Sequence, residues 1–191
     1  MTTSESNRVR RFSLPDLADE RVDEAISAFL TGPTRRRGRP GGASAPGRGN
    51  PFVLLENRIG WIEAVRRESI RNQRYGGPAA VIVIASEPTA DTAQAKGWLA
   101  RLAAPIAHAI HRGIRETDLV SRAAGTRFQI LLPETTGSEA VQIADRVLAD
   151  CDVWLQAVGA PVVVRASAAG TAPDRTLEAA LDLAVGAIDA G

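Results

Sequence analysis

Cysteine and long apolar runs are nearly absent from this sequence. Cys151 is the only cysteine among the 191 residues, which excludes an internal disulfide and any cysteine-rich metal site. No apolar run approaches the roughly 20 residues that a membrane-spanning helix needs, so we expect no membrane partner. The N-terminus carries arginines but neither an apolar core nor a cleavage site, so we also expect no secretory signal. These absences predict a cytoplasmic protein.

The chain also has little net charge, but the charges are unevenly distributed. The formal net charge is +1, and a composition of 45% hydrophobic and 24% charged residues is typical of a soluble globular protein. Residues 31–50 contain five arginines and no carboxylate, whereas the stretch before them is acidic. We therefore expect charge-dependent partner choice to lie in the first fifty residues. The acidic residues are Asp16, Asp19, Glu20, Asp23 and Glu24.

Residues 1–30 are interpreted as an N-terminal tail with a short amphipathic helix from Leu14 to Leu30. The apolar residues of this segment recur at three- and four-residue spacing, and the acids lie on the other face. A helix with one apolar stripe needs a cover, which is the body of the same chain, a second copy or another protein. The apolar residues are Leu14, Leu17, Ala18, Val22, Ala25, Ile26 and Phe29.

Residues 31–50 are rich in Gly, Pro and Arg. They cannot bury enough apolar surface to order themselves, so we expect a flexible linker. Within it, Arg35–Pro40 contains the Arg-Gly-Arg-Pro core of AT-hook peptides, which place arginines in the narrow minor groove of A·T-rich DNA. A solvated linker is the simpler interpretation, and DNA association through this segment is the less favoured one.

Four helices are predicted in the remainder of the chain. The first ends near Arg74, before a Tyr-Gly-Gly-Pro stop, and the second contains Pro105, which must kink it or set its true start. The third begins at a capping box of Thr136 and Glu139, and Asp174 is the expected cap of the last. The residues predicted to face the core are Leu55, Ile59, Ile62 and Val65; Leu99, Leu102, Ile106 and Ile110; Ala140, Ala144, Val147 and Cys151; and Leu177, Leu181, Ala184 and Ile188.

Strand patterns alternate with these helices. The run Ala79–Ala85 is apolar and rich in β-branched residues, as suits a central strand covered on both faces. Residues 118–122 and 127–132 form a predicted hairpin around a turn at 123–126, and residues 162–169 form a further strand. Residues 51–191 are therefore predicted to form one domain of the α/β (α+β) class. We expect a mixed central β-sheet flanked by helices, with a helical and disordered N-terminal extension.

Four segments of this domain carry a family resemblance through their order and spacing. They are NPFVLLENR at residues 50–58, RYGGP at 74–78, RETDLVSR at 115–122 and FQILLP at 128–133. From about Asn50 to Gly191 the chain resembles the GGDEF family, the diguanylate cyclases. The resemblance implies a nucleotidyl-cyclase-like fold and a bacterial, cytoplasmic signalling protein connected with cyclic di-GMP.

The departures from the family pattern lie where the resemblance would place the catalytic groups. The family's signature turn falls on Ala124, Gly125, Thr126, Arg127 and Phe128, so only the second glycine and the phenylalanine match. In active members an acid of this turn and an aspartate at the position of Ala85 hold a metal ion. The family's phosphate-binding lysine aligns with Asp189, and its guanine-reading segment has no counterpart within residues 87–97. We therefore expect no Mg²⁺ cofactor and no enzyme activity, because phosphoryl transfer needs Mg²⁺ held by carboxylates.

One functional element of the family is retained in the sequence. Arg115 and Asp118 match the "RxxD" product-binding site in type and in spacing before the signature turn, and Arg146 aligns with a further arginine of that site. A guanidinium binds a phosphate or the O6/N7 edge of guanine in bidentate fashion, and a carboxylate accepts from guanine N1 and N2. The alternative interpretation is a surface ion pair with a solvated Arg146.

The sequence thus predicts a catalytically inactive GGDEF-like signalling module that binds cyclic di-GMP through Arg115, Asp118 and Arg146. The alternative is a scaffold that mediates protein contacts or dimerisation through residues 14–30 without binding a nucleotide. DNA association through Arg35–Pro40 and residual diguanylate cyclase activity are the less favoured hypotheses.

Overall fold

The computed structural model describes residues 8–10, 55–89 and 93–190. The helix predicted for residues 14–30 and the linker predicted for residues 31–50, with its segment Arg35–Pro40, lie outside the described residues. The domain boundaries at residues 30 and 50 therefore stay predictions.

The described strands form one sheet in the order β1-β5-β2-β4-β3. Every ladder between these described strands is antiparallel, and the parallel component of the expected mixed sheet is an isolated bridge between Glu56 and Ser121. The predicted fold class, a central sheet flanked by helices, is confirmed. The strands are β1 (Arg8–Arg10), β2 (Ala79–Pro88), β3 (Leu119–Ala124), β4 (Arg127–Pro133) and β5 (Val162–Gly170).

Among the described residues, four helices cover the two faces of this sheet, and each face has its own apolar cluster. Alternate residues of β2 point to opposite faces, so that Ile82 and Ile84 lie in one cluster while Val81 and Val83 lie in the other. This burial on both faces confirms the central strand that the uninterrupted apolar run predicted. The helices α2 (Ala93–Gly113) and α3 (Gly137–Val158) cover the first face, and α1 (Arg58–Tyr75) and α4 (Leu177–Asp189) cover the second.

The helix ends agree with the sequence at most positions. Gly76, with φ 70°, ends α1, and the capping box of Thr136 and Glu139 begins α3. The predicted cap Asp174 is wrong: Thr176 caps α4, because its side chain accepts a hydrogen bond from the Ala179 backbone N–H. Pro105 lies inside α2 and does not set its start.

The predicted buried face of α1 is wrong at Ile59 and Ile62, whereas Val65 is buried as predicted. Ile59 and Ile62 are exposed, and the helix instead buries a stripe that begins with Trp61 and continues at helical spacing. The large indole gains more from burial than an isoleucine side chain does, so the helix turns this side towards the sheet. The buried carboxylate of Glu68 is compensated by Arg71, which donates two hydrogen bonds to it at 2.9 and 2.7 Å. The stripe consists of Trp61, Ala64, Val65, Glu68 and Ser69.

Candidate functional site

The hairpin of β3 and β4 carries the signature turn, residues 124–128. Gly125 has φ 53°, a left-handed conformation that glycine adopts without strain. β3 extends two residues into the predicted turn, to Ala124, while β4 begins at Arg127 as predicted, so the turn shortens to Gly125 and Thr126. Phe128 is fully buried and lies opposite Ile84 of β2 in the sheet register. The two family residues retained in this turn thus have structural roles.

The hydroxyl of Thr126 links the signature turn to β2. Thr126 is buried, and its Oγ1 donates a hydrogen bond to the backbone carbonyl oxygen of Ser86 at 3.0 Å. Ala85, the residue before Ser86, has only a methyl side chain. A magnesium ion prefers carboxylate and other free oxygen ligands in near-octahedral geometry. A methyl group and a carbonyl that already accepts a hydrogen bond do not form such a ligand set.

Two arginines flank Ala85 on the neighbouring strands. On one neighbouring strand, β5, Arg165 lies directly opposite Ala85. On the other neighbouring strand, β4, Phe128 lies opposite Ile84, and the antiparallel register then brings Arg127 next to Ala85. Cross-strand neighbours point to the same face of a sheet, so both guanidinium groups are on the side of α1 and α4. Two guanidinium groups thus lie beside the position where the resemblance puts a metal ligand.

Each of these arginines has a carboxylate partner. Arg127 contacts Asp189 at the end of α4, with 2.5 Å between Nη2 and Oδ1. Arg165 Nη2 lies 3.4 Å from Glu87 Oε2, while its Nε is buried without a hydrogen-bond partner among the described residues. Arg127 and Asp189 are two of the positions where the sequence departs from the family pattern, and they pair with each other. Within residues 55–89 and 93–190, moreover, no group of three His, Cys, Asp or Glu side chains is placed to hold a metal ion.

The loop between α2 and β3 presents the retained Arg115 and Asp118. Asp118 Oδ2 accepts a hydrogen bond from the Arg115 backbone N–H at 2.7 Å, and the Asp118 N–H donates to the Arg115 carbonyl at 3.2 Å. Burial raises the pKa of the Asp118 carboxyl group, and the hydrogen bond and positive charge of Arg115 oppose this rise only in part. Oδ1 of this carboxyl is buried and has no hydrogen-bond partner in the described part of the chain.

Arg146 reaches the same loop from α3. Its Nη2 donates a hydrogen bond to the carbonyl oxygen of Gly113, the last residue of α2, at 2.6 Å. A cation at this position also interacts favourably with the C-terminal end of the helix dipole. The side chain of Arg115 is exposed and makes no ion pair or hydrogen bond among the described residues. The structure thus brings the three predicted residues to one loop, although it joins Arg115 and Asp118 through the backbone and not as an ion pair.

Sequence reasoning missed three residues of these sites. Ser86 and Gly113 act through backbone carbonyl oxygens, which the sequence does not mark. Gly113 is further required by space, because a Cβ there would lie 2.6 Å from Val147 Cγ2. Arg165 had a visible signal, since it is the single charged residue of its strand.

No helix among the described residues combines the length and the apolar character that crossing a membrane requires.

No protein-family model matches the chain, and no curated protein sequence matches it. Solved structures do match.

The GGDEF domain of YfiN (TpbB) from Pseudomonas aeruginosa is 26% identical over 71% of this chain and 89% of its own, with a TM-score of 0.58. The diguanylate cyclase SiaD from the same species, solved in complex with its activator SiaC, is 26% identical over 72% of this chain and 56% of its own, with a TM-score of 0.55. DgcB from Caulobacter crescentus, solved as a coiled coil and GGDEF domain in complex with c-di-GMP, is 17% identical over 71% of this chain and 75% of its own. Its TM-score of 0.55 shows a shared fold alone.

These similarities confirm the prediction of a GGDEF-like domain. The sites at Ala85, Thr126 and Arg127 and at the loop of Arg115 and Asp118 therefore lie in a domain with the fold of diguanylate cyclases.

Proposed function

We propose that this GGDEF-like domain is a signalling module that does not synthesise cyclic di-GMP. The observation that carries the proposal is the hydrogen bond from Thr126 to the Ser86 carbonyl, made where the resemblance puts the metal site. Phosphoryl transfer from a nucleoside triphosphate depends on metal ions that bridge phosphate oxygens and neutralise developing charge. Ala85 and Thr126 provide no carboxylate for such an ion, and Arg127 places a cation beside them.

A turnover assay tests this part of the proposal. The full chain is incubated with GTP and either Mg²⁺ or Mn²⁺, and the products are separated by liquid chromatography and identified by mass spectrometry. SiaD, which is a diguanylate cyclase, serves as the positive control. We expect no cyclic or linear diguanylate above the protein-free background. A product that increases with the protein concentration contradicts the proposal.

We further propose that the module binds cyclic di-GMP through Arg115, Asp118 and Arg146. DgcB, a protein of the same fold, was solved with this dinucleotide, and the present loop offers suitable groups. The Arg115 guanidinium is free to bind a phosphate or a guanine edge, and Asp118 Oδ1 lacks a partner that guanine N–H groups would supply. A hydrogen bond to a charged group contributes about 1.5–3 kcal/mol. Two arginines and one carboxylate therefore support micromolar binding, which corresponds to about 8 kcal/mol.

Isothermal titration calorimetry with cyclic di-GMP tests the receptor proposal. We expect micromolar binding by the wild type and a loss of at least tenfold in affinity in Arg115→Ala and in Arg146→Ala. Arg67→Ala is the matched control, because Arg67 is an exposed arginine of α1, on the opposite face of the sheet from α3. No binding by the wild type, or equal losses in all three variants, removes the receptor proposal. Such a result leaves the proposal on synthesis standing.

The alternative function is a scaffold that makes protein contacts without a nucleotide. The observation that favours it is the exposed apolar face of α1, where Ile59 and Ile62 face outwards. A scaffold of this kind predicts that deletion of residues 1–50 changes the oligomeric mass in light scattering, whereas nucleotides leave the mass unaltered. A mass that responds to cyclic di-GMP favours the receptor instead.

A further inference from the structure

The outer surface of α1 is both basic and apolar. Four arginines are exposed on this helix, against one exposed carboxylate, that of Glu63. Four of the six large apolar side chains that are exposed in the described part of the chain also lie here, namely Ile59, Ile62, Ile70 and Tyr75. Single exposed apolar residues are ordinary, but such a concentration on one helix is typical of an interaction surface. The arginines are Arg58, Arg66, Arg67 and Arg74.

The outer surface of α4 has the opposite charge. Its exposed residues include Glu178, Asp182 and Asp189, and the helix contains no lysine or arginine. Small residues lie between these acids, at Ala179 and Gly186, and a Cβ added at Gly186 would meet no atom within 4 Å. The surface of α4 therefore has depressions beside its acids, into which larger apolar side chains can pack.

The two helices lie side by side and antiparallel on one face of the sheet. α1 leads into β2 and α4 follows β5 through short connections, and β2 and β5 are themselves antiparallel. Ser69 Oγ of α1 donates a hydrogen bond to Glu178 Oε2 of α4 at 3.0 Å, so these two residues lie at one level along the helices. Because each helix rises by about 1.5 Å per residue, Arg66 lies near the level of Asp182.

We propose that this face, formed by α1 and α4, is the contact surface between two copies of the chain. A twofold axis that runs along the helices places α1 of each copy over α4 of the other and leaves the level of every residue unchanged. Arg66 of one copy then lies over Asp182 of the other. Both side chains are exposed, and neither makes an ion pair within residues 55–89 and 93–190. The contact does not depend on nucleotide binding.

The apolar side chains fit the same arrangement. Ile62 of one copy lies near the level of Gly186 of the other and packs into the open space above that glycine, and Ile70 lies near Ala179. Large side chains of one helix thus meet small residues of the opposing helix, as close helix packing requires. A twofold axis across the helices would instead set α1 against α1, and repulsion between their arginines disfavours that arrangement.

The size of the surface predicts a weak dimer. α1 and α4 contain 18 and 13 residues, so they are about 27 Å and 20 Å long, and two adjacent helices are about 20 Å wide. The two footprints together amount to about 800–1,000 Å², which is below the roughly 1,200 Å² of a stable interface. We therefore expect dimers at roughly 100 μM protein and monomers at roughly 1 μM. Salt should weaken the dimer, because its ion pairs lie near solvent.

A charge exchange, followed by sedimentation equilibrium of the full chain, tests the proposal. Arg66→Asp and Asp182→Arg each place like charges across the contact, so each should raise the dissociation constant at least fivefold. The variant with both substitutions restores an opposite pair and should return to within twofold of the wild type. Arg101→Asp is the matched control, because Arg101 is an exposed arginine of α2 on the other face of the sheet. No dimer of the wild type, or a double variant as weak as the single ones, overturns the proposal.

A pair of apolar substitutions tests the contribution of the isoleucines. Ile62→Ser should raise the dissociation constant at least threefold, whereas Val153→Ser, on α3 across the sheet, should leave it unchanged. Val153 is 71% exposed and Ile62 is 55% exposed, so a general effect of removing exposed apolar surface would be larger in the control. Neither substitution empties the core, and circular dichroism checks that both variants fold. An unchanged dissociation constant in Ile62→Ser, or an equal change in both variants, overturns the proposal.

Discussion

Replacing Thr126 by valine removes the hydrogen bond that joins the signature turn to β2 and changes the shape of the side chain little. The hydroxyl donates to the buried Ser86 carbonyl at 3.0 Å, and the substituted methyl group cannot replace it. A typical intramolecular hydrogen bond contributes about 0.5–1.5 kcal/mol to the free energy of unfolding. Losing the donor also leaves the buried carbonyl without a partner, so the cost lies at the upper end of this range or slightly above it. We expect Thr126→Val to lower the free energy of unfolding by about 1–2 kcal/mol. For a domain of this size this lowers Tm by roughly 3–8 °C.

Urea denaturation followed by circular dichroism measures this change, provided that the transition is two-state. Thr126→Ser is the control, because it keeps the hydroxyl and should retain most of the stability. Addition of Mg²⁺ should leave the midpoint of every variant unchanged, since a ligand stabilises only the state that binds it. The reasoning is refuted if Thr126→Val is as stable as the wild type, or if Mg²⁺ raises the midpoint of the wild type and not of the variant.

Three further predictions concern stability. Gly170→Ala should destabilise the domain by about 1–3 kcal/mol in urea, because the new Cβ would lie 2.6 Å from the backbone nitrogen of Gly137, the first residue of α3. Gly186→Ala, with open space around it, should instead stabilise α4 by up to about 1 kcal/mol. Burial raises the pKa of Asp118 in the folded state, so this residue stabilises the fold below its unfolded pKa, and the contribution is lost as the pH rises through its folded pKa. Asp118→Asn should therefore abolish this decline of stability with pH. A variant with the same pH profile as the wild type contradicts the prediction. A double-mutant cycle of Arg127→Ala and Asp189→Ala should give a coupling of about 0–1 kcal/mol, since both side chains are partly exposed, and a coupling above about 2 kcal/mol is incompatible with this account.

The order of helices and strands was largely predictable, because each depends on local signals. The apolar run of β2, the capping box at Thr136 and the glycine stop after α1 each fix one element with few alternatives. The cap of α4 was less certain in the sequence, since Asp174 and Thr176 are both good caps and only the path of the chain after β5 selects Thr176.

The orientation of α1 was not predictable from periodicity. The helix has two apolar stripes, one with Trp61 and one with Ile59 and Ile62, and either satisfies helical spacing. Spacing alone does not weigh the larger gain from burying Trp61, and the fit of either stripe also depends on the shape of the sheet beneath, which is set by residues far along the chain.

The candidate sites were predictable in their side chains but not in their backbone partners. Arg115, Asp118 and Arg146 were identified by spacing, and the structure brings them to one loop. Their hydrogen bonds, however, run to the backbone at Arg115 and Gly113. Similarly, the sequence marked Arg127 and Asp189 as two separate departures, and only the packing of α4 beside the hairpin shows that they form a pair.

The central claim is that the site formed by Ala85 and Thr126 cannot hold a catalytic metal ion. The most direct measurement incubates the full chain for a prolonged time with radiolabelled GTP and either Mg²⁺ or Mn²⁺, with protein and GTP at comparable concentrations. The nucleotides are then separated by chromatography. We predict that all of the label remains in GTP and in its spontaneous hydrolysis products. Label in cyclic di-GMP or in its linear precursor, formed in amounts that depend on the metal ion, would contradict the account.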